Sequence, residues 1–263
     1  MHWQDVAVGY LSYLAVVSLA RREYAKARAP LFIAAAAAWG VVVVVGRAAL
    51  SPALEVVLPS LILLIGYWLS GLLFVRPDPR LERWLLSADE IVLTRPGVLT
   101  WFRTAPRVVT EYFELSYLLV YVAVPAGAVT LAIGGHADQI ARFWTVVLLA
   151  EFACYGMLPW IQTRPPRVLV DVESWGRGPR TPIRRLNHAI VGRASIQANT
   201  LPSGHAAGAF ATALAVGATM PAAGAVFLIL AVSIALATVL GRYHYVIDTV
   251  LGLLVAVIAW TLV

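Results

Sequence analysis

The sequence predicts an all-α protein, a polytopic transmembrane helical bundle of about eight spans. Hydrophobic residues make up 60% of its 263 residues and charged residues only 13%, and the mean hydropathy is +0.80. In a soluble domain about a quarter of the residues are charged. Several apolar runs reach the roughly 18 residues that are typical of a spanning helix, and they lack the polar face that a soluble helix needs. The composition therefore indicates a multi-pass membrane protein.

The individual spans are predicted from the apolar runs and the polar breaks between them. A longer polar segment follows the third span, and Pro221 marks a tight turn between the sixth and the seventh. The predicted spans cover residues 2–20, 30–50, 55–75, 112–133, 140–161, 205–220, 222–240 and 243–263.

The segment between the third and fourth spans, RPDPRLERWLLSADEIVLTRPGVLTWFRTAPR, is rich in arginine and aromatic residues. Its apolar residues alternate with arginines, which favours helices that lie in the membrane interface. An ordinary extramembrane loop fits the same pattern, so both interpretations stay open at the level of the sequence.

Basic residues concentrate in the loops on one side of this scheme. The loops 21–29, 76–111, 162–204 and 241–243 carry 18 of the 20 Lys and Arg residues, since only Arg47 and Arg142 lie elsewhere. The positive-inside rule places these loops in the cytoplasm for a multi-pass protein of the cell (plasma or inner) membrane. Membrane orientation and phosphate binding explain the formal charge of +6, so no nucleic-acid partner is expected.

Three polar clusters fall at span ends on this same side of the membrane. His244 and Asp248 are four residues apart, so on a helix they share a face, and the carboxylate can fix the tautomer of the imidazole. His205 stands where a Ser-Gly turn opens into the sixth span. The clusters are QTRPPR at 162–167, PSGH at 202–205 and GRYHYVID at 241–248.

The residue types in these clusters suit a phosphate group. Ser203 and Gly204 offer backbone N–H groups at a helix N-terminus, which is a favourable place for an anion. Arg164 and Arg242 offer planar guanidinium groups for phosphate oxygens. Arginines and backbone dipoles can supply the charge stabilisation, so neither a metal nor a cofactor is expected.

The two histidines can divide the chemistry between them. His244, oriented by Asp248, can attack phosphorus as a nucleophile, and His205 can protonate the departing oxygen. Each cluster alone also fits a structural role, because a single histidine at a helix end is commonly a hydrogen-bonded structural residue. The convergence of three clusters on one face favours the catalytic interpretation.

The motif PSGH, with His244-Tyr245 and Asp248 and then Gly252 beyond, resembles the signature of the type-2 phosphatidic acid phosphatase superfamily, which is KxxxxxxRP, PSGH and SRxxxxxHxxxD. The resemblance covers residues 112–263, a catalytic phosphatase-type helical bundle, and leaves 1–111 as N-terminal spans and the interfacial segment. It implies a phosphohistidine on His244, proton transfer by His205, and phosphate contacts from Arg164, Ser203 and Gly204.

The sequence departs from that signature at two positions. Met157 stands at the lysine position and Thr238 at the arginine position, with Arg242 as the nearby arginine. RYHYVID together with TRPP is similar to the branch that contains inositol-phosphorylceramide synthases, which move a phosphoryl-alcohol group between lipids. The acceptor therefore stays open between water and a second alcohol.

Ionisable groups inside spans are functional candidates by default. Glu114 lies on the fourth predicted span, and Glu151 and Tyr155 lie four residues apart on the fifth. These side chains could bind a head group or an acceptor hydroxyl. They could equally pair with arginines or tyrosines for structural reasons.

Our leading hypothesis is an integral membrane enzyme that cleaves a lipid or polyprenyl phosphate ester through a phosphohistidine intermediate. The alternative within the same chemistry is transfer of a phosphoryl or phosphoryl-alcohol group to a second lipid. From another class, a transporter of an anionic substrate would use the same arginines without a phosphohistidine. The oligomeric state does not follow from the sequence.

Overall fold

A computed structural model describes residues 2–45, 51–170 and 182–263. The end of the predicted second span and the middle of the loop 162–204 lie outside these residues. The all-α prediction is confirmed, because the described residues form helices and only an isolated β-bridge between Thr163 and Asn199. The helices in this part of the chain are α1 (Trp3–Val17), α2 (Ala25–Val45), α3 (Pro52–Gly71), α4 (Pro79–Asp89), α5 (Val98–Thr104), α6 (Arg107–Ile133), α7 (Ile140–Gly156), α8 (Pro166–Leu169), α9 (Pro182–Ala194), α10 (Gly204–Gly217), α11 (Pro221–Leu240) and α12 (Val246–Leu262).

A helix lies at each of the eight positions where a span is predicted. Within the described residues, four helical segments are long and apolar enough to cross a membrane, namely Arg22–Val43, Ala53–Gly71, Arg107–Ile133 and Pro221–Leu240. The other four, α1, α7, α10 and α12, have 14 to 17 residues, and a hydrocarbon core of about 30 Å takes about 20 helical residues. The membrane character is confirmed, and the count of eight spans stays a prediction.

Helix α10 lies at the centre of the bundle and packs against α6, α7, α11 and α12. Its sequence, GHAAGAFATALAVG, is made mostly of small residues, and nearly all of them are buried. Small side chains let helix backbones approach closely, which is how helices associate in membranes. At Gly208 the approach is so close that an added Cβ would lie 1.9 Å from Glu151 Oε1 of α7. The PSGH turn therefore opens into the most crowded helix of the fold.

The N-terminal helices pack around α7 on its other side. Helix α1 contacts α2 and α7, and α3 contacts α6 and α7. Tyr10 of α1 stacks on Phe152 of α7 with 4.0 Å between the ring centroids. Gly66 of α3 faces the same Phe152 ring, because a Cβ there would lie 2.6 Å from it. The N-terminal helices therefore cover the side of α7 that faces away from α10.

The helices predicted between the third and fourth spans are present as α4 and α5, joined by a π-helical turn at Glu90–Thr94. Asp78 caps α4 by accepting hydrogen bonds from the N–H groups of Arg80 and Leu81, at 2.8 and 3.3 Å. Trp84 is 57% exposed, whereas Leu85 is completely buried. This amphipathic helix lies against the start of α12.

The side chain of Gln162, a few residues after α7, forms hydrogen bonds to the connection between α3 and α4. Its Oε1 accepts hydrogen bonds from the N–H groups of Val75 and Arg76, at 2.8 and 2.7 Å. Its Nε2 donates to the Tyr24 hydroxyl and the Leu73 carbonyl, both at 3.0 Å. Nε2 also donates to the Pro159 carbonyl at 3.3 Å, so one buried amide serves five partners and sets where α4 begins.

Gln162→Leu is expected to lower the free energy of unfolding by about 2–4 kcal/mol, because the partners of a buried amide would be left unsatisfied. The measurement is the melting temperature of the purified protein in detergent. Gln139→Leu is the matched control, since the Gln139 amide donates only to the exposed neighbour Asp138 among the described contacts. Equal melting temperatures for the two variants would contradict this role of Gln162.

Candidate active site

The three polar clusters of the sequence meet at one end of the bundle. Ser203 N–H, just before α10, donates to the carbonyl of Asp248 in α12 at 2.9 Å. The Tyr245 hydroxyl donates to the carbonyl of Arg164 at 3.0 Å. Asn199 N–H donates to the carbonyl of Thr163 at 2.8 Å, which ties the loop before PSGH to the QTRPPR segment. Hydrogen bonds thus join the GRYHYVID cluster directly to both the PSGH and the QTRPPR clusters.

The PSGH turn is held by a helix cap and by a close contact with α12. The Ser203 side chain accepts from the N–H of Ala206 at 3.3 Å, and Gly204 N–H donates to the Thr200 hydroxyl at 3.3 Å. A Cβ at Gly252 would lie 2.5 Å from the Ser203 carbonyl oxygen, so a glycine is needed there for the two helices to touch. The polar groups of Ser203 and Gly204 therefore have local partners, and their predicted phosphate contact stays a prediction.

The imidazoles of His205 and His244 lie against each other. His244 Nε2 is 3.4 Å from His205 Nδ1. On the other side of the His244 ring, Nδ1 is 3.5 Å from Asp248 Oδ2. Asp248 is completely buried, and its Oδ2 also accepts from the N–H of Tyr245 at 3.1 Å. The structure thus brings the Asp248 carboxylate, the His244 imidazole and the His205 imidazole into contact in succession.

Arg164, a predicted phosphate contact, is paired with Glu82 of α4. Its Nε and Nη2 donate to the two carboxylate oxygens at 3.0 and 2.7 Å, and its backbone N–H donates to Oε1 at 2.8 Å. Burial tends to raise the pKa of Glu82, but the bonds from Arg164 outweigh it and hold that pKa below its ordinary value. The Arg164 side chain is 40% exposed, so it stays accessible from the polar end of the bundle.

Arg242, the other predicted phosphate arginine, forms an ion pair with Asp89 of α4. Both side chains are buried, at 5% and 2% exposure. Burial raises the pKa of Asp89, while the N–H of Val246 and the Arg242 guanidinium oppose that shift. The predicted contact of Arg242 with a phosphate stays a prediction, since the structure pairs its guanidinium with this carboxylate.

Arg167 is a cation close to the imidazoles. Its charge interacts with both His205 and His244. Its Cζ lies 5.3 Å from the centroid of the Tyr243 ring. Tyr243 stacks on Tyr117 at 3.7 Å, and Tyr117 stacks on His205 at 5.4 Å. A guanidinium thus lies beside the aromatic stack that ends at the imidazole pair.

Sequence reasoning missed three residues of this site: Glu82, Asp89 and Arg167. The signal for the two acids was their spacing, because Glu82 and Asp89 are seven residues apart and share the buried face of α4 with Leu85. A charged residue in the apolar stripe of an amphipathic helix requires a buried partner. For Arg167 the sequence held no such signal beyond its place in QTRPPR.

The predicted head-group or acceptor residues are buried and hydrogen-bonded to protein. Glu151 accepts a hydrogen bond from Tyr155 one turn further along α7. Glu114 accepts from Asn187 Nδ2 at 2.6 Å and from the Tyr243 hydroxyl at 3.1 Å. Their predicted role in substrate binding stays untested. Among the described residues no group of three or more His, Cys, Asp or Glu side chains is arranged to hold a metal ion.

Two cavities lie on either side of the aromatic stack. One, of about 140 Å³, is almost entirely apolar, lies between α3, α6 and α7, and includes His205, Glu151 and Tyr155 in its lining. The other, of about 270 Å³, is basic. Its charged and polar lining comprises Arg167, Arg184, His188, Gln197, Arg242 and Tyr243. The site therefore has an apolar side at His205 and a basic side at Arg167.

The fold and the site define a helical membrane protein with a paired-imidazole centre at its helix ends. A sequence model of the PAP2 superfamily matches residues 81–262, well over half of the chain. The chain therefore belongs to the PAP2 superfamily, whose members are phosphatases and phosphotransferases. The searches of curated proteins and of solved structures gave no match. The resemblance to the inositol-phosphorylceramide-synthase branch stays a prediction.

Gly252→Ala is expected to lower kcat roughly 10-fold or more, because a Cβ pressed on the Ser203 carbonyl would move His205 away from His244, and small displacements of reacting groups are costly. The measurement is kcat on a lipid phosphate, normalised to folded protein. Gly40→Ala in α2 is the control, since a Cβ there meets no described atom within 4 Å. A Gly252→Ala variant as active as the control would contradict the close approach of α10 and α12.

Proposed function

We propose that this protein is an integral membrane lipid-phosphate phosphatase that works through a phosphohistidine on His244. The observation that carries the proposal is the contact between His244 Nε2 and His205 Nδ1, with Asp248 behind the first ring. A nucleophile that lies within 3.5 Å of a proton donor on one side and of an orienting carboxylate on the other forms a recognised catalytic arrangement.

In the first step the lone pair of His244 Nε2 attacks phosphorus. An N–P bond forms while the bond between phosphorus and the lipid oxygen breaks, and protonated His205 gives its proton to that oxygen. Asp248 stabilises the positive charge that develops on the His244 ring. The rings are 3.4 Å apart in the structure, so they have to separate to admit the phosphoryl group.

In the second step water attacks the phosphohistidine. His205, now neutral, accepts the proton from water as the new P–O bond forms and the N–P bond breaks. Inorganic phosphate leaves, and both imidazoles return to their starting protonation states. The same two histidines thus complete a cycle without net consumption of protons by the protein.

Charge on the phosphoryl oxygens would be stabilised by guanidinium groups and backbone dipoles, without a metal ion or a cofactor. Arg164 is the best placed of the predicted arginines, because its side chain is paired yet 40% exposed. Ser203 and Gly204 add the N-terminus of α10. Arg242, the other predicted phosphate arginine, is paired with Asp89 and has no part in this mechanism.

The apolar cavity supports a lipid as the leaving group. His205, the proposed proton donor, lines this cavity together with Leu63, Leu64 and Val124. Its Nε2 is buried and has no hydrogen-bond partner in the described part of the chain. An alcohol that departs toward His205 would therefore carry an apolar chain, as a lipid or polyprenyl phosphate does.

We place the active site on the cytoplasmic side of the membrane. The support is the charge distribution, because the motif loops lie on the same predicted side as 18 of the 20 basic residues. Ten of those lie in the loops 21–29 and 76–111, outside the motifs QTRPPR, PSGH and GRYHYVID. Catalysis alone does not account for them.

A second candidate is transfer of the phosphoryl or phosphoryl-alcohol group to another alcohol. The basic cavity favours it, because Arg167, Arg184 and His188 could hold a polar or anionic second ligand beside Tyr243 of the aromatic stack. In that case the acceptor hydroxyl would replace water in the second step.

The purified protein is expected to release inorganic phosphate from a lipid or polyprenyl monophosphate, with and without EDTA. The assay is a panel of labelled lipid phosphates, each run with and without an alcohol acceptor. A new phosphodiester product in the acceptor arm would favour transfer over hydrolysis. Release that fails in EDTA and returns with a divalent ion would refute the metal-free mechanism, and no turnover of any lipid phosphate would refute the proposed function.

His244→Ala and His205→Ala are each expected to abolish turnover while the protein stays folded. Asp248→Asn is expected to lower kcat roughly 100-fold or more with little change in KM, because the amide would no longer stabilise the charged ring. The measurements are steady-state kinetics and the melting temperature of each variant. A transporter would tolerate His244→Asn, so uptake that survives this substitution would favour the other class of protein.

A further inference from the structure

The buried carboxylate of Asp89 contacts the chain on both sides of His244. One oxygen pairs with the guanidinium of Arg242, two residues before the histidine. The other oxygen accepts from the N–H of Val246, two residues after it, at 3.0 Å. Asp89 is 1% exposed and lies on α4, which is distant in sequence from all three motifs.

We propose that Asp89 is a positioning residue for the nucleophile, and that its two contacts fix the turn 242–246 so that His244 faces His205. This proposal rests on the proposed role of His244. It also assigns Arg242 a role as part of this anchor, in place of direct phosphate binding.

The backbone of the turn needs such an anchor. Arg242 has a φ of +58°, a left-handed conformation that is energetically unfavourable for a residue with a Cβ. The N–H groups of Tyr243 and His244 both donate to the carbonyl of Thr238 in α11, at 2.8 and 3.0 Å. The Thr238 carbonyl of α11 therefore holds Tyr243 and His244 in the middle of the turn. Asp89 holds the two ends of the turn, at Arg242 and Val246.

Asp89 also completes the start of α12. The first N–H groups of a helix lack intrahelical partners, and Val246 is the first residue of α12. Asp248, at the third position, accepts from the N–H of Tyr245. Two carboxylates from different helices therefore cap the same helix start, which directly follows His244 in the chain.

The burial of the Arg242–Asp89 pair makes Arg242 a poor phosphate ligand. Breaking a buried ion pair by withdrawing one partner leaves an uncompensated charge, which is strongly unfavourable. Arg164 and Arg167 are more exposed than Arg242, so an anion reaches them more readily.

Asp89→Asn is the first test. The amide keeps an acceptor for Val246 but leaves the Arg242 guanidinium without a counter-charge, so kcat should fall roughly 10- to 100-fold while KM changes little. Glu90→Gln is the matched control, because Glu90 is the next residue and is 58% exposed. Melting temperatures measured alongside separate loss of fold from loss of rate.

Val246→Pro is the second test, because it removes the N–H that donates to Asp89 and leaves both members of the Arg242–Asp89 pair in place. Proline is tolerated at the first position of a helix, and the preceding Tyr245 already has the extended backbone that proline requires, with φ −76° and ψ 158°. We expect a lower kcat with KM nearly unchanged and the melting temperature preserved. A Val246→Pro variant with the kcat of Glu90→Gln would overturn the proposal.

The double variant Asp89→Asn with Arg242→Gln separates the two roles of Arg242. Neutral amides can hydrogen-bond in place of the ion pair, so an anchor should be partly restored and kcat should exceed that of Asp89→Asn alone. A double variant no faster than the single one would mean that the Arg242 charge acts on the phosphate, and would overturn the proposal. Full activity of His244→Ala would instead refute the proposed function itself.

Discussion

The close approach of α10 and α12 is the constraint on which the site depends. It is possible because Gly252 presents no side chain to the Ser203 carbonyl, and because Ser203 N–H donates to the carbonyl of Asp248. These contacts bring the two helix starts together, and with them the rings of His205 and His244. The small residues of α10 therefore serve chemistry as well as packing, since a bulkier helix would hold the imidazoles apart.

Charge pairing with α4 is the second organising feature. Guanidinium and carboxylate groups are costly to bury singly, and a membrane protein usually keeps such groups where they pair or function. Here Glu82 pairs with the half-exposed Arg164, while Asp89 pairs with the buried Arg242. The amphipathic helix beside the bundle thus sets the conformation of both motif loops. The segment between the third and fourth predicted spans is part of the site's framework.

Much of the fold and of the site could be predicted from the sequence because both depend on local pattern. Apolar runs located a helix at each of the eight predicted spans, and motif spacing indicated that His205, His244 and Asp248 would meet. The roles of Glu82 and Asp89 could not be predicted in the same way. Their partners are fixed by where α4 docks, and a charged, arginine-rich segment reads equally well as a loop or as an interfacial helix. The number of spans also stays a prediction, because several helices are shorter than the roughly 20 residues that cross a bilayer.

Trapping of the covalent intermediate tests the central claim most directly. The protein would be mixed with a lipid phosphate labelled on phosphorus, quenched in alkali within one turnover, digested and mapped. We predict an acid-labile, base-stable label on His244, and no label in His244→Ala. Turnover of the lipid phosphate with no labelled histidine, or with the label on another residue, would contradict the account.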